Sequence, residues 1–231
     1  MLAAALVAFV LATEPAAAAP NVLSPRVAAL IAPVHQAYVD VAVAQSQSPP
    51  ATDDRTRLER LLPLDQAGRQ ALEQIDLGTL PDAERKAAMA VIWGEISAHD
   101  VENEVELKKM IPPSGWFLPG AWGQDAAEAA FHIVQHAAGD PDLMRDTLKR
   151  IEPLARAGKY SGRDFAKMYD RVALDLDHKP QRYGTQFLCT AGKWEVPKLE
   201  DPANVDTRRR AIGMTETFAD NMKRIESEPC W

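Results

Sequence analysis

Glu128, His132 and His136 recur at i, i+4 and i+8 within an alanine-rich stretch. One carboxylate and two imidazoles are ligand types that zinc and iron accept. The run His132-Ile133-Val134-Gln135-His136 lacks the glutamate that H-E-x-x-H zinc proteases place between their histidines. Three groups along two turns of one helix also drift around its axis, so this stripe alone is expected to be a polar helix face, with no metal and no cofactor. A second set is dispersed. His136 changes charge near neutral pH and, with Asp170, could act as an acid-base pair. Asp100, Asn103, Gln135, Arg171, Gln181, Tyr183, Gln186 and Arg209 supply directional donors and acceptors suited to a polar ligand. A structural account of the same residues competes. Gly184 permits a tight turn, Gln181 and Gln186 cap helix ends, and Asp100 with Asn103 receives Arg171 or Arg209 in a buried network. There is no G-x-S-x-G elbow, papain-like cysteine or phosphate-cradling glycine loop.

These residues need a scaffold, and the pattern is helical. Val27, Leu30, Ile31, Val34, Tyr38 and Val41 place a helix over Pro25–Gln45, with Pro33 expected to kink it. Ser46–Asp54 reads as a linker, and Pro63 should separate short helices at Arg55–Leu62 and Asp65–Ile75. Pro81 opens the longest helix, to about Met110. Its seam of Met89, Trp93, Ile96, Asp100, Asn103, Leu107 and Met110 steps by four and three, so Asp100 and Asn103 interrupt an apolar face. A carboxylate buried there needs a partner. Further helices follow at Asp125–Ala138, at Pro141 to about Ala157 behind an Asp140 cap, and from a Ser161 cap to about Asp177. The hexapeptide Gln181–Gln186 has too many polar groups around one glycine for a helix interior and should fold back on the helices. Phe187–Thr190 and Trp194–Val196, joined by Ala191-Gly192-Lys193, form a hairpin, and Val205 to about Ile225 is the last helix. The expectation is a mainly α, single helical domain of six to eight helices with one small hairpin near residues 186–197. A helical extension over 19–80 would precede a core over 81–231.

The chain has 231 residues and a net charge of -7, with no basic run, which argues against nucleic acid as a partner. Leu2–Ala12 is apolar but too short to span a bilayer, and small residues follow at Ala16–Ala19. This reads as a signal peptide cleaved after Ala18, with a periplasmic or secreted product and no further membrane span. Cys189 and Cys230 either pair, as an exported protein permits, or remain a buried thiol and a frayed one.

Asp100, Asn103, Leu107-Lys108, Gly115-Trp116, Gly123, Gln135-His136, Asp170-Arg171-Val172, Gln181, Tyr183-Gly184-Thr185-Gln186, Pro202, Val205-Asp206 and Arg208-Arg209 occur in the order and rough spacing of an uncharacterised bacterial family, domain of unknown function 6624. The sequence resembles it over about Asp100–Gly213, most specifically in the YGTQ element. Phe117 replaces a usual proline, and Ala138 stands where an aspartate tends to follow the QH pair. The resemblance picks out His136 but not His132 or Glu128, and implies no activity. Two function classes follow from the residues. One is an exported binding module whose polar cleft, built from His136, Asp170, Arg171, Tyr183 and Gln186, holds a small polar ligand or peptide. The other is a hydrolase- or lyase-like enzyme using His136 and Asp170, with a structural accessory role as a third reading.

Overall fold

A computed structural model describes residues 23–228 and residue 230, so the signal-like segment 1–18 lies outside the described residues. Among the described residues the chain forms nine α-helices and one two-stranded hairpin. Helix α1 (Pro25–Ser46) starts as expected, with the Ser24 hydroxyl accepting from the Val27 N–H and proline at its first position. It is long and apolar enough to cross a membrane by length and composition. In the fold its Val27, Ile31, Val34 and Tyr38 stripe is buried, packed with Ala67, Ile92 and Ile96.

Helix α2 (Asp54–Glu73) is continuous, which corrects the expected break at Pro63. Proline removes one ladder bond, but α2 packs along α1, α3 and α5, and that tertiary burial outweighs the local defect. Helix α3 (Asp82–Met110) buries Ile96, Asn103, Leu107 and Met110 from the expected seam. Trp93 departs from it and is 42% exposed, while Ala88 and Ile92 take the buried positions. A straight helix drifts against a strict seven-residue repeat by about 20° per heptad, enough to rotate the seam's first turns outward.

Helices α4 (Pro119–Trp122), α5 (Gln124–His136), α6 (Pro141–Arg156) and α7 (Gly162–Arg171) complete the central layers. The Asp140 and Ser161 caps form as expected, accepting from the Leu143 and Asp164 N–H groups at 2.9 and 3.2 Å. Helix α5 is the hub, touching α2, α3, α4, α6 and α7. Its Ala126, Ala127, Ala129 and Ala130 are buried, and their small side chains let neighbouring helices approach closely. The main core gathers Leu58 and Leu61 of α2 with Leu107, Phe131, Ile133, Val134, Phe165 and Met168. Past Arg171 the chain continues as a π-helical turn over Val172–Leu176.

The hairpin is as expected: β1 (Leu188–Thr190) pairs antiparallel with β2 (Lys193–Glu195). Ala191 and Gly192 both have positive φ, 50° and 74°, the mirror-image turn that matches the twist of two strands. The expected final helix is instead two, α8 (Val205–Ala211) and α9 (Phe218–Glu226). Gly213 adopts φ 79° and ends the first, and the Thr217 hydroxyl caps the second. Together with α4, this split brings the helix number to nine.

Cys189 and Cys230 form a disulfide across a sequence separation of 41. It ties the C-terminal end to β1, while the Trp194 indole N–H donates to the Glu228 carbonyl beside it. On the loop-entropy account, a closure of this length contributes about 4 kcal/mol. The C189S/C230S protein is expected to unfold in urea at a stability lower by about that amount. A loss below about 1 kcal/mol would assign the docking of α9 to its packing alone.

Candidate functional site

The hexapeptide folds back on α7, and Asp170 is what holds it there. This carboxylate is fully buried. It accepts from the Arg182 N–H at 2.6 Å, the Tyr183 N–H at 3.0 Å, the Thr185 N–H at 3.0 Å and the Thr185 hydroxyl at 2.9 Å. Burial pushes the carboxyl above its ordinary range, and these donors pull against that shift. Gln181 is buried as well. Its amide N–H₂ donates to the Gln186 and Pro197 carbonyls, and its oxygen accepts from the Gln186 N–H. The Gln186 amide donates to the Lys167 carbonyl. Arg209, 1% exposed, donates to the Tyr183 and Glu216 carbonyls at 2.9 Å each. Tyr183 packs edge-on to Phe165 and Tyr169. Gly184 has φ 67°, and a Cβ there would lie 2.5 Å from the Phe218 ring, so both conformation and space demand glycine.

The expected cleft of His136, Asp170, Arg171, Tyr183 and Gln186 is therefore corrected. Asp170 and Tyr183 are buried, and the Asp170 carboxylate is engaged by the loop's own N–H donors. Asp170 is not the partner of His136 either. That partner is Asp65 of α2, whose Oδ1 lies 2.9 Å from His136 Nδ1.

Asp65 belongs to a chain of polar groups that runs between α2, α3 and α5. The Gln66 amide donates to its second oxygen at 2.6 Å. The Arg69 guanidinium donates to the Asp65 carbonyl at 2.8 Å and to both oxygens of Asp100 at 2.9 and 2.8 Å. Burial would raise the Asp65 carboxyl, but His136, Arg69 and Gln66 outweigh it and hold the group below the usual carboxylate range. The partly buried carboxylate at position 100 thus meets Arg69, not Arg171 or Arg209 as expected. Arg171 donates to the Gln135 carbonyl at 2.7 Å. Asn103 Nδ2, Gln135 Oε1 and Arg171 Nε are buried without a protein partner.

A pocket of about 460 Å³ opens between α5 and α7, lined by Gln124, Glu128, His132, Arg163, Asp164 and Lys167. His132 lies on α5 one turn before His136, their ring centres 5.8 Å apart. Burial pushes the His132 imidazole down, which favours its neutral form. Burial also raises the Asp164 carboxyl and lowers the Lys167 ammonium, and shifts of that kind gather at functional sites. None of the ten residues singled out for catalysis or ligand binding lines this pocket, although Arg209 lines a small neighbouring cavity of about 130 Å³.

Asp65, Arg69, Arg163 and Lys167 escaped the sequence reading. Asp65 and Arg69 are four apart on a helix, a visible pairing, but in a segment taken as weakly patterned. Arg163 and Lys167 likewise share a face of α7, one turn apart, and gain meaning only once α5 lies beside it.

The model of a family of unknown function (DUF6624) matches residues 52–227. The match extends beyond the stretch that carried the resemblance and takes in α2, with Asp65 and Arg69. No curated protein and no solved structure matches the chain.

Proposed function

We propose that this chain, which belongs to that family of unknown function, is an exported binding protein. Its pocket between α5 and α7 takes a small polar ligand, or the end of a peptide, through an anionic group. One observation carries the reading. The Lys167 ammonium is desolvated on the pocket wall, and Arg163, Arg224 and Arg171 all act against its charge while Asp164 supports it. Neither Arg163 nor Lys167 forms an ion pair among the described residues. A partly buried cation among cations, with Asp164 near it but no ion pair, is short of counter-charge, and a bound carboxylate or phosphate adds it. The Cys189–Cys230 disulfide, together with the signal-like segment, supports an oxidising destination, periplasmic or secreted.

Lys167→Met keeps the apolar stem and removes the charge, so it is expected to stabilise the protein by about 1 kcal/mol while weakening ligand capture. Melting curves of both proteins with phosphate, small carboxylic acids and short peptides test this. The parent should show a saturable rise with at least one of them, absent from Lys167→Met. A parent indifferent to every anion, or a variant that responds as the parent does, sinks the reading.

A second reading, hydrolase- or lyase-like chemistry, is favoured by the contact between Asp65 and His136. A buried carboxylate on one ring nitrogen orients an imidazole and leaves the other nitrogen for a substrate. Turnover in a screen of esters, amides and phosphoesters, lost in His136→Gln, supports it. Turnover that survives the substitution dismisses it.

A further inference from the structure

We infer that Asp65, His132 and His136 form a binding site for one divalent transition-metal ion of the zinc class. Each offers one ligand atom, and these atoms all lie within 4.8 Å of one another. Bonds of about 2.0–2.1 Å in a tetrahedral shell place ligand atoms about 3.4 Å apart. Asp65 Oδ1 and His136 Nδ1 are already closer than that, at 2.9 Å. The remaining adjustment falls to His132, whose side chain is about a quarter exposed.

The α5 stripe of Glu128, His132 and His136 has a carboxylate of the right kind in the wrong place. Glu128 lies 3.7 Å from His132 Nε2, with its side chain nearly half exposed. The packing of α2 on α5 supplies a better third group from a different direction, which removes the objection that ligands on one helix diverge. Two imidazoles and one carboxylate are the set that catalytic zinc sites use, with a position left open for water or ligand. Of the three, His132 also lines the pocket between α5 and α7.

The surroundings fit an ion as well. Gln66 fixes the second oxygen of Asp65, the kind of outer contact that orients a ligating carboxylate. Arg69 approaches Asp65 to 4.0 Å and favours its charged, ligating form, while its two-pronged pair with Asp100 meets the guanidinium's own charge. The inference stands apart from the anion reading, since the ion alone is the probe.

The test uses untagged full-length protein stripped with a chelator and titrated with Zn²⁺ by calorimetry. Co²⁺ is titrated in parallel, because its visible absorption reports a tetrahedral shell. One ion per chain is expected. Glu128→Gln should bind as the parent does. His132→Gln and His136→Gln should each lose more than about 100-fold in affinity, beyond the 10–100-fold that outer contacts command. His132→Gln is the decisive variant, since its partly exposed side chain can change without emptying the core, and its unchanged melting without metal confirms that. No heat and no Co²⁺ band from the parent would overturn the site. So would His132→Gln binding at parental strength, or Glu128→Gln losing the ion as the histidine variants do.

Discussion

Asp170→Ala is expected to lower the unfolding free energy by about 4–6 kcal/mol, a large share of the 5–15 kcal/mol that holds a typical domain folded. The substitution leaves three backbone N–H groups, of Arg182, Tyr183 and Thr185, and the Thr185 hydroxyl without their acceptor. A hydrogen bond to a charged group contributes about 1.5–3 kcal/mol, and a buried donor left unpaired costs about 1–3 kcal/mol. The contacts share one carboxylate, so their effects do not simply add. Asp170→Asn should fare little better than alanine, because its amide N–H₂ would point at donors. Urea unfolding with the slope held constant is the measurement. A loss below about 1 kcal/mol for Asp170→Ala would mean that the loop is held by Arg209 and Gln181 alone, and would reopen Asp170 to another role.

Arg69→Met should cost about 3 kcal/mol, because it strands the Asp100 carboxylate, 12% exposed, without its counter-charge. The same physics predicts rescue. Replacing both members by apolar groups removes the stranded charge, so Arg69→Met with Asp100→Leu should recover to within about 1 kcal/mol of the parent. A double-mutant cycle reads the coupling directly. Additive losses would show that the two side chains act independently, and the polar chain from Asp100 to His136 would then break at its first link. The pair joins α2 to α3, so its loss should also disturb the Asp65 that Arg69 touches through its carbonyl.

Helix starts were legible because their signals are local. Asp140 and Ser161 each needed only the residues three positions on, and each accepts from the N–H expected of a cap. The hairpin was legible for the same reason, since one turn decides its register. Pro63 and Trp93 were misread where packing overrode local preference. Gly213, by contrast, marked the break between α8 and α9 in plain sight. For Asp100 the requirement for a partner was legible, but its identity was not.

By itself the sequence determined a mainly helical chain, the cap positions, the hairpin, and the fact that a buried carboxylate on α3 must be answered. Those follow from periodicity, capping and the cost of burying charge, which act within a few residues or on one side chain. Tertiary structure alone decided that Arg69 answers Asp100 across 31 positions, that Asp65 meets His136 across 71, and that Asp170 holds the hexapeptide loop. Which distant side chains meet depends on how α2, α3, α5 and α7 settle against one another. That arrangement is selected by the summed burial of the whole core, a quantity no single stretch of chain contains.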